Sequence, residues 1–281
     1  MRIKIPGLLR NAKFLLGLSI FIAIVLTGVV GPGIYTISPR KIVGPRYTPP
    51  SSQYPLGTDA LGRDVLAQLL HGIRGSLIVG ATAGLMALSL ALFLGTIAAV
   101  FGGIVDKIIM SISEIFIILP SILLMMILAA FLPPEAKNLW MVSLVIGVTS
   151  WGGWARGFRS RTLSILSAEF INLARLSGAS RMSIIVRDII PIISPYVLAA
   201  FAMLFSQAVM SEVGLTIIGI GMTRDVTLGL MLYFAQIYAN ISQGIWWTFV
   251  PPTIVIILIY LSLYSIAISL DEYFAPRLGS V

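Results

Sequence analysis

Eleven carboxylates, a single histidine (His71) and no cysteine are all this chain offers for acid–base, metal or thiol chemistry. A Cys/His zinc site, a disulfide framework and a thiol nucleophile are therefore excluded. The five lysines include no Gly-Lys dipeptide, so there is no phosphate-binding P-loop, and neither GxSxG nor HExxH occurs. An intramembrane enzyme would need a nucleophile–base pair or a metal set, and the sequence shows neither. If the protein does work, a partner or an ion gradient must supply the free energy. Two acids, Glu114 and Glu212, fall within or near apolar stretches. Acids there are costly, and by default they line a pathway or pair with a cation. The bland alternative is a protonated or Arg-paired structural carboxylate. A second cluster is Gly57, Thr58, Asp59, Gly62, Arg63 and Asp64. Its charges can pin a loop as a network. Two aspartates also invite a cation site, but Arg63 sits between them, and a solvated turn before a surface helix is the simpler reading.

The elements that must carry these residues follow from composition. Hydrophobic residues are 58% of the 281, charged residues only 11%, and mean hydropathy is +0.99. A soluble domain is about a quarter charged, so the fold class is an all-α integral membrane protein. The net charge of +8 is scattered between apolar spans, which does not suit nucleic acid. Helices long enough to cross about 30 Å of hydrocarbon are expected from Phe14 to about Val30, at 75–105, at 108–132 (interrupted by Glu114 and Pro120), at 139–155, at 195–214 and at 245–270. The apolar segment 226–239 is too short and reads as interfacial or re-entrant. The expected count is six transmembrane helices. The basic start of the chain precedes an apolar stretch too long for a signal peptide, so it reads as a retained anchor.

Lys and Arg set the orientation. The N-terminal segment carries Arg2, Lys4, Arg10 and Lys13, and the loop after the fourth span carries Arg156, Arg159, Arg161, Arg175, Arg181 and Arg187. With six spans both lie on one side, expected to be the cytoplasm, with both termini. Two long loops remain, 31–76 outside and 156–194 inside. In the inner loop Phe170, Leu173, Ala174 and Ser177 share a helix side that Ile171 and Leu176 widen, Ser167 can cap the start, and Gly178 stands where a helix ends. A second short helix carries Met182, Ile185, Val186 and Ile189 and is closed by Pro191. Two short helices meeting at Gly178, Ala179 and Ser180 fit either a helix pair lying on lipid headgroups or a docking element for a cytoplasmic partner. Gly80 and Gly84, and Gly153 and Gly157, form GxxxG pairs that let helices approach closely. All five tryptophans fall near span ends, as in an aromatic belt.

At this point the residues resemble a known family. The inner loop is similar to the EAA loop of ABC-transporter permeases, with Asn172, Leu173 and Ala174 at the triplet, Gly178 in place and Pro191 at the expected distance. The stretches 57–66 (GTDALGRDVL) and 71–80 (HGIRGSLIVG) resemble the C-type permease of dipeptide, oligopeptide and nickel importers. Residues 211–221, 243–247 and 274–278 resemble further elements of that family, and the likeness runs from about residue 7 onward. There are departures. Asn172 and Leu173 replace Glu and the first Ala of the triplet, Asp188 stands for a usual histidine, and Ser111 for an arginine. Glu114 replaces an aspartate, Leu228 a tryptophan and Ala275 an aspartate.

The resemblance implies one N-terminal helix (residues 1–74 with the outer loop) followed by a five-helix MetI-like permease core (75–281) with its coupling loop at 156–194. It implies a homologous second permease, two ABC ATPase subunits, an extracellular substrate-binding protein and surrounding membrane lipid. No cofactor is expected on this chain, and ATP and Mg belong to the partner subunits. The expected place is the plasma membrane of a bacterium or archaeon. The expected function is binding-protein-dependent import of an oligopeptide, an oligosaccharide or nickel by alternating access. The competing class is an ion-coupled secondary transporter using Glu114 and Glu212.

Overall fold

A computed structural model describes residues 11–133, 136–221 and 225–274. Every regular element among them is helical, apart from two isolated β-bridges. The expected features at residues 2–10 and at 275–281 lie outside the described residues. Helix α1 (Ala12–Ile34) starts where the Asn11 side chain accepts the Lys13 and Phe14 amides. Helix α2 (Val65–Phe101) is 37 residues long, about 55 Å at 1.5 Å per residue. The expected surface helix after Asp64 is its first turns, not a separate piece, so His71 lies within it and residue 75 is no boundary in the backbone. Val65, Ala67, Leu70 and Ile73 are buried, and that burial carries the helix past the point where charges begin.

The third expected span is two helices, α3 (Gly103–Ile118) and α4 (Ser121–Ala130), bent by 91°. Pro120 explains the break. Its ring disfavours helical geometry in the residue before it, and Leu119 is extended at φ −72°, ψ 131°. The fourth is also broken. Helix α5 (Leu139–Thr149) stops at Ser150, and α6 (Gly152–Leu166) runs well into the expected inner loop. Trp151 at this break is buried rather than in a belt. Short helices α7 (Glu169–Leu176) and α8 (Arg181–Ile184) follow. A π-helical turn (Ile185–Ile189) then leads directly into α9 (Ile190–Ile217).

Pro191 therefore closes nothing: it sits in the first turn of α9. Without an N–H it cannot bond four residues back. The wide turn before it absorbs the mismatch, with the Ile190 N–H reaching Ile185 O. Helix α10 (Leu228–Ile237), a 3₁₀ turn (Trp246–Thr248) and α11 (Val250–Phe274) complete the chain.

Four elements are long and apolar enough to cross a bilayer, at 12–34, 65–101, 181–217 and 250–273, and the bent α3–α4 pair gives a fifth. Among the described residues, helix length and composition thus give four or five spans rather than the six expected. The ten residues of α10 are too few to cross, as the sequence indicates.

Helices α2 and α9 form the centre and contribute to all three apolar clusters. They run antiparallel: Ile73 and Leu77 cluster with Val209 and Val213, and Leu88 and Ala91 with Ile189 and Ile193. Small residues on α2 allow the approach. A Cβ on Gly80 would enter the Phe205 ring, and one on Gly84 would lie 3.1 Å from the Phe205 amide nitrogen. Of the second expected GxxxG pair only Gly157 serves a close approach: a Cβ there would meet the Tyr196 hydroxyl of α9, whereas nothing lies within 4 Å of a Cβ on Gly153.

Candidate functional site

The antiparallel pair places the loop of residues 35–64 at one end of the molecule and α7–α8 at the other. The geometry of each end follows from its own residues.

At the first end, Asp59 organises the loop. Its Oδ1 accepts the Leu61 and Arg63 amides at 2.8 and 2.9 Å. Its Oδ2 accepts Arg63 Nε at 2.7 Å and Gln68 Nε2 at 3.0 Å. Asp64 does something different. Its Oδ1 caps α2 through the Ala67 amide, and its Oδ2 accepts the Tyr35 hydroxyl at 2.9 Å. Burial and the Asp64 carboxylate push that hydroxyl up to about 12, so it remains a donor through the physiological range.

The two carboxylates are therefore filled by N–H and O–H donors, the opposite of what a cation needs. The Thr58 hydroxyl donates to Pro45 O at 2.6 Å and accepts the Thr48 amide at 2.8 Å. Gly57 and Gly62 have φ of +69° and +76°, a region that favours glycine. A Cβ on Gly57 would also meet the Trp247 ring at 3.0 Å.

The loop is fastened to the far end of the chain. Trp247 Nε1 donates to Thr58 O at 3.1 Å, Tyr47 OH donates to Asn240 Oδ1 at 3.0 Å, and the Arg63 guanidinium lies 4.8 Å from the centre of the Phe234 ring. Sequence reasoning did not place these contacts, although the paired tryptophans were already conspicuous.

At the other end, α7 and α8 meet at Gly178, Ala179 and Ser180 as expected. Gly178 has φ +83°, and the Ala179 amide reaches back to Ala174 O at 3.0 Å, which closes α7 with a Schellman turn. Ser180 caps α8 through the Ser183 amide at 3.2 Å. The expected cap at Ser167 is not one. Ser167 instead follows the last residue of α6 as its C-terminal cap, and its hydroxyl turns back to Ser164 O. The face reads differently from the expectation too. Ile171 is fully buried and anchors α7 to the core, while Phe170, Leu173 and Leu176 are 45%, 64% and 85% exposed, and Asn172, Met182 and Val186 are exposed with them.

The arginines expected in this loop belong partly to α6. Arg159 forks onto both oxygens of Asp106 in α3, Arg156 lies 3.9 Å from Glu114 of α3, and Arg161 lies 4.0 Å from Asp271 of α11. The Arg161 guanidinium also sits 3.7 Å from the centre of the Tyr196 ring. Glu114 is thus an exposed, loosely paired side chain on α3 and not a buried acid.

Glu212 is fully buried. Its Oε1 accepts the Thr216 and Thr227 hydroxyls at 2.9 and 2.7 Å, and its Oε2 has no partner. Thr227 in turn caps α10 through the Leu230 amide. Glu212 therefore ties α9 to the start of α10. The Glu212→Ala variant strands two hydroxyls and leaves a void, and we expect it to cost about 2–4 kcal/mol of stability. Glu212→Gln keeps the accepting oxygen and is expected to lose less. Thermal unfolding of the purified complexes ranks the two, and equal losses would contradict this role.

The two intramembrane acids of the sequence are thus unlike each other in burial and in partners. No group of three metal-ligating side chains occurs among the described residues.

Comparison with known proteins completes the site. Residues 91–280 match the family described as binding-protein-dependent transport system inner membrane component. The oligopeptide transport system permease protein OppC of Mycobacterium tuberculosis is 31% identical over 215 residues, covering 75% of this chain and 72% of the relative. OppC of Lactococcus lactis is 31% identical over 209 residues, covering 74% and 70%. A Brucella abortus relative, provisionally named a peptide transport system permease protein, is 30% identical over 275 residues, covering 96% of this chain and 90% of its own. With a continuous family match over more than half its length, this chain belongs to the binding-protein-dependent transport system inner membrane components, a family of transport permeases.

Proposed function

We propose that this chain is the permease of a peptide importer driven by ATP hydrolysis in two partner ATPases, and that it is paired with a second, homologous permease. The observation that carries the coupling is mechanical. Exposed Met182 and Val186 stand on a helical element that continues from Arg181 to Ile217, into one of the two central helices, and α7 with its exposed Phe170, Leu173 and Leu176 joins that element at the Gly178–Ser180 joint. A push at α8 therefore reaches the core without crossing a loop. Phe170, Leu173 and Leu176 would seat in the ATPase, with Asn172 and Ala174 beside them. Gly178, Ala179 and Ser180 would hold the angle between the two short helices, and Pro191 would fix the wide turn above. ATP must favour one arrangement of the two permeases over the other for the population to shift.

In the same reading α5 and α6 together make the sixth span, both termini face the cytoplasm of a bacterial or archaeal cell, and the loop of residues 35–64 faces outward to receive a peptide-loaded binding protein. The names of the relatives favour peptides over oligosaccharides or nickel.

The test is uptake of labelled peptide into proteoliposomes holding the full complex. Uptake is expected to require ATP and the binding protein, and to persist when the proton and sodium gradients are collapsed. An ion-coupled carrier built on Glu114 and Glu212 predicts the reverse. The variants Glu114→Gln and Glu212→Gln should retain ATP-driven uptake.

A further inference from the structure

Two span breaks, α3–α4 and α5–α6, open onto one cleft. Its volume is about 530 Å³, and its walls include Pro120, Ser121, Ser150, Trp154, Tyr196 and Gln207. The breaks face each other. Ser113 Oγ donates to Gly152 O at 2.8 Å, and the Phe116 and Trp151 rings are 5.3 Å apart. Irregular backbone at membrane depth is tolerated only where protein buries it or where it lines a watery cavity.

The chemistry of the walls is consistent throughout. Among the described residues no charged side chain lines the cleft. The first turn of α4 begins at Pro120 with no side-chain cap, leaving backbone N–H groups to seek acceptors. Ser150 Oγ is buried without a partner. Gln207 is exposed in the middle of apolar α9, where an amide facing lipid would be costly.

We propose that this cleft is the wall along which the solute passes, and that it binds the neutral backbone amides of a peptide. The N–H groups of α4 and the Gln207 amide meet peptide carbonyls. The Gln207 oxygen meets peptide N–H groups. Trp154 and Tyr196 give an apolar bed that accepts varied side chains. Every peptide has a backbone whatever its sequence, so such a wall suits a carrier of many sequences. This rests on the functional reading above.

The chain contains no cysteine, so a single substitution gives it one thiol. In the assembled complex in proteoliposomes, Ser121→Cys and Gln207→Cys are expected to react with a small hydrophilic maleimide. A transported tripeptide at ten times its half-protecting concentration should slow that reaction about tenfold. Leu198→Cys is the control, because Leu198 is exposed half a turn round α9 from Gln207 and does not line the cleft. It should stay unreactive. Gln207→Leu should slow uptake of tripeptides with different side chains by the same factor, and Gln207→Asn should slow it less.

An unreactive thiol at residue 207 means that partner side chains fill the cleft, and it overturns the proposal. So does a reactive thiol that peptide does not protect. A loss in Gln207→Leu confined to one class of side chain overturns backbone recognition. If the unsubstituted complex itself shows no ATP-driven peptide uptake, the functional reading fails and the cleft assignment falls with it. Normal uptake with an unprotected cleft defeats the cleft assignment alone.

Discussion

Asp59→Ala is expected to unfold the loop of residues 35–64 and to abolish uptake. The Asp59 carboxylate holds four donors, two of them on Arg63, whose Nη2 is already buried without a partner. Removing the acid leaves a buried guanidinium uncompensated, and breaking such a pair costs about 3–5 kcal/mol. The loss spreads, because the Thr58 carbonyl that receives Trp247 and the residues that pair with Arg63 are set by the same turn. Limited trypsin digestion reads the outcome. Cleavage after Arg40, Lys41 and Arg46 should rise steeply in the variant while membrane insertion is kept. Asp59→Asn retains an accepting oxygen for the two backbone amides and should fall between wild type and alanine. Wild-type digestion of Asp59→Ala would remove Asp59 from the centre of this network.

The second large effect is expected at Gly178. Its φ of +83° is the constraint, not its surroundings, since nothing lies within 4 Å of a Cβ placed there. A β-branched side chain in this left-handed region costs about 1–2 kcal/mol. The joint can relieve that strain only by reopening the turn that closes α7. Gly178→Val should therefore leave insertion and core stability nearly intact, abolish peptide uptake, and leave ATP hydrolysis no longer stimulated by the loaded binding protein. Gly178→Asn, which tolerates positive φ, should keep a measurable part of the uptake. Uptake in Gly178→Val equal to wild type would mean that α7–α8 transmits nothing.

Much of this molecule was legible in its residues. Long uncharged stretches gave the existence of the main helices, because a bilayer demands them, and the Gly178–Ser180 joint followed from cap chemistry that acts within a few residues. The places where the sequence misleads have tertiary causes. Helix α2 starts ten residues early because Val65, Ala67 and Ile73 are buried by neighbours. Pro191 looks like a terminator, and a wide turn lets the helix run through it. The arginines of α6 look like loop charges because Asp106 and Asp271, which receive two of them, are distant in sequence. Glu114 and Glu212 look alike on paper, yet one is exposed and the other enclosed. The ties from Tyr47 to Asn240 and from Thr58 to Trp247 span 193 and 189 residues, and no local pattern announces them.

The π-helical turn at Ile185–Ile189 has one last implication. It holds a surplus residue relative to an ordinary α-turn, and each residue of an α-helix advances its azimuth by about 100°. The compass bearing of α8 about the axis of α9 is thus fixed by counting, not by side-chain identity. Lengthening or shortening residues 185–189 by one would swing the exposed patch to another quadrant, whereas swapping side chains there would leave its heading unchanged.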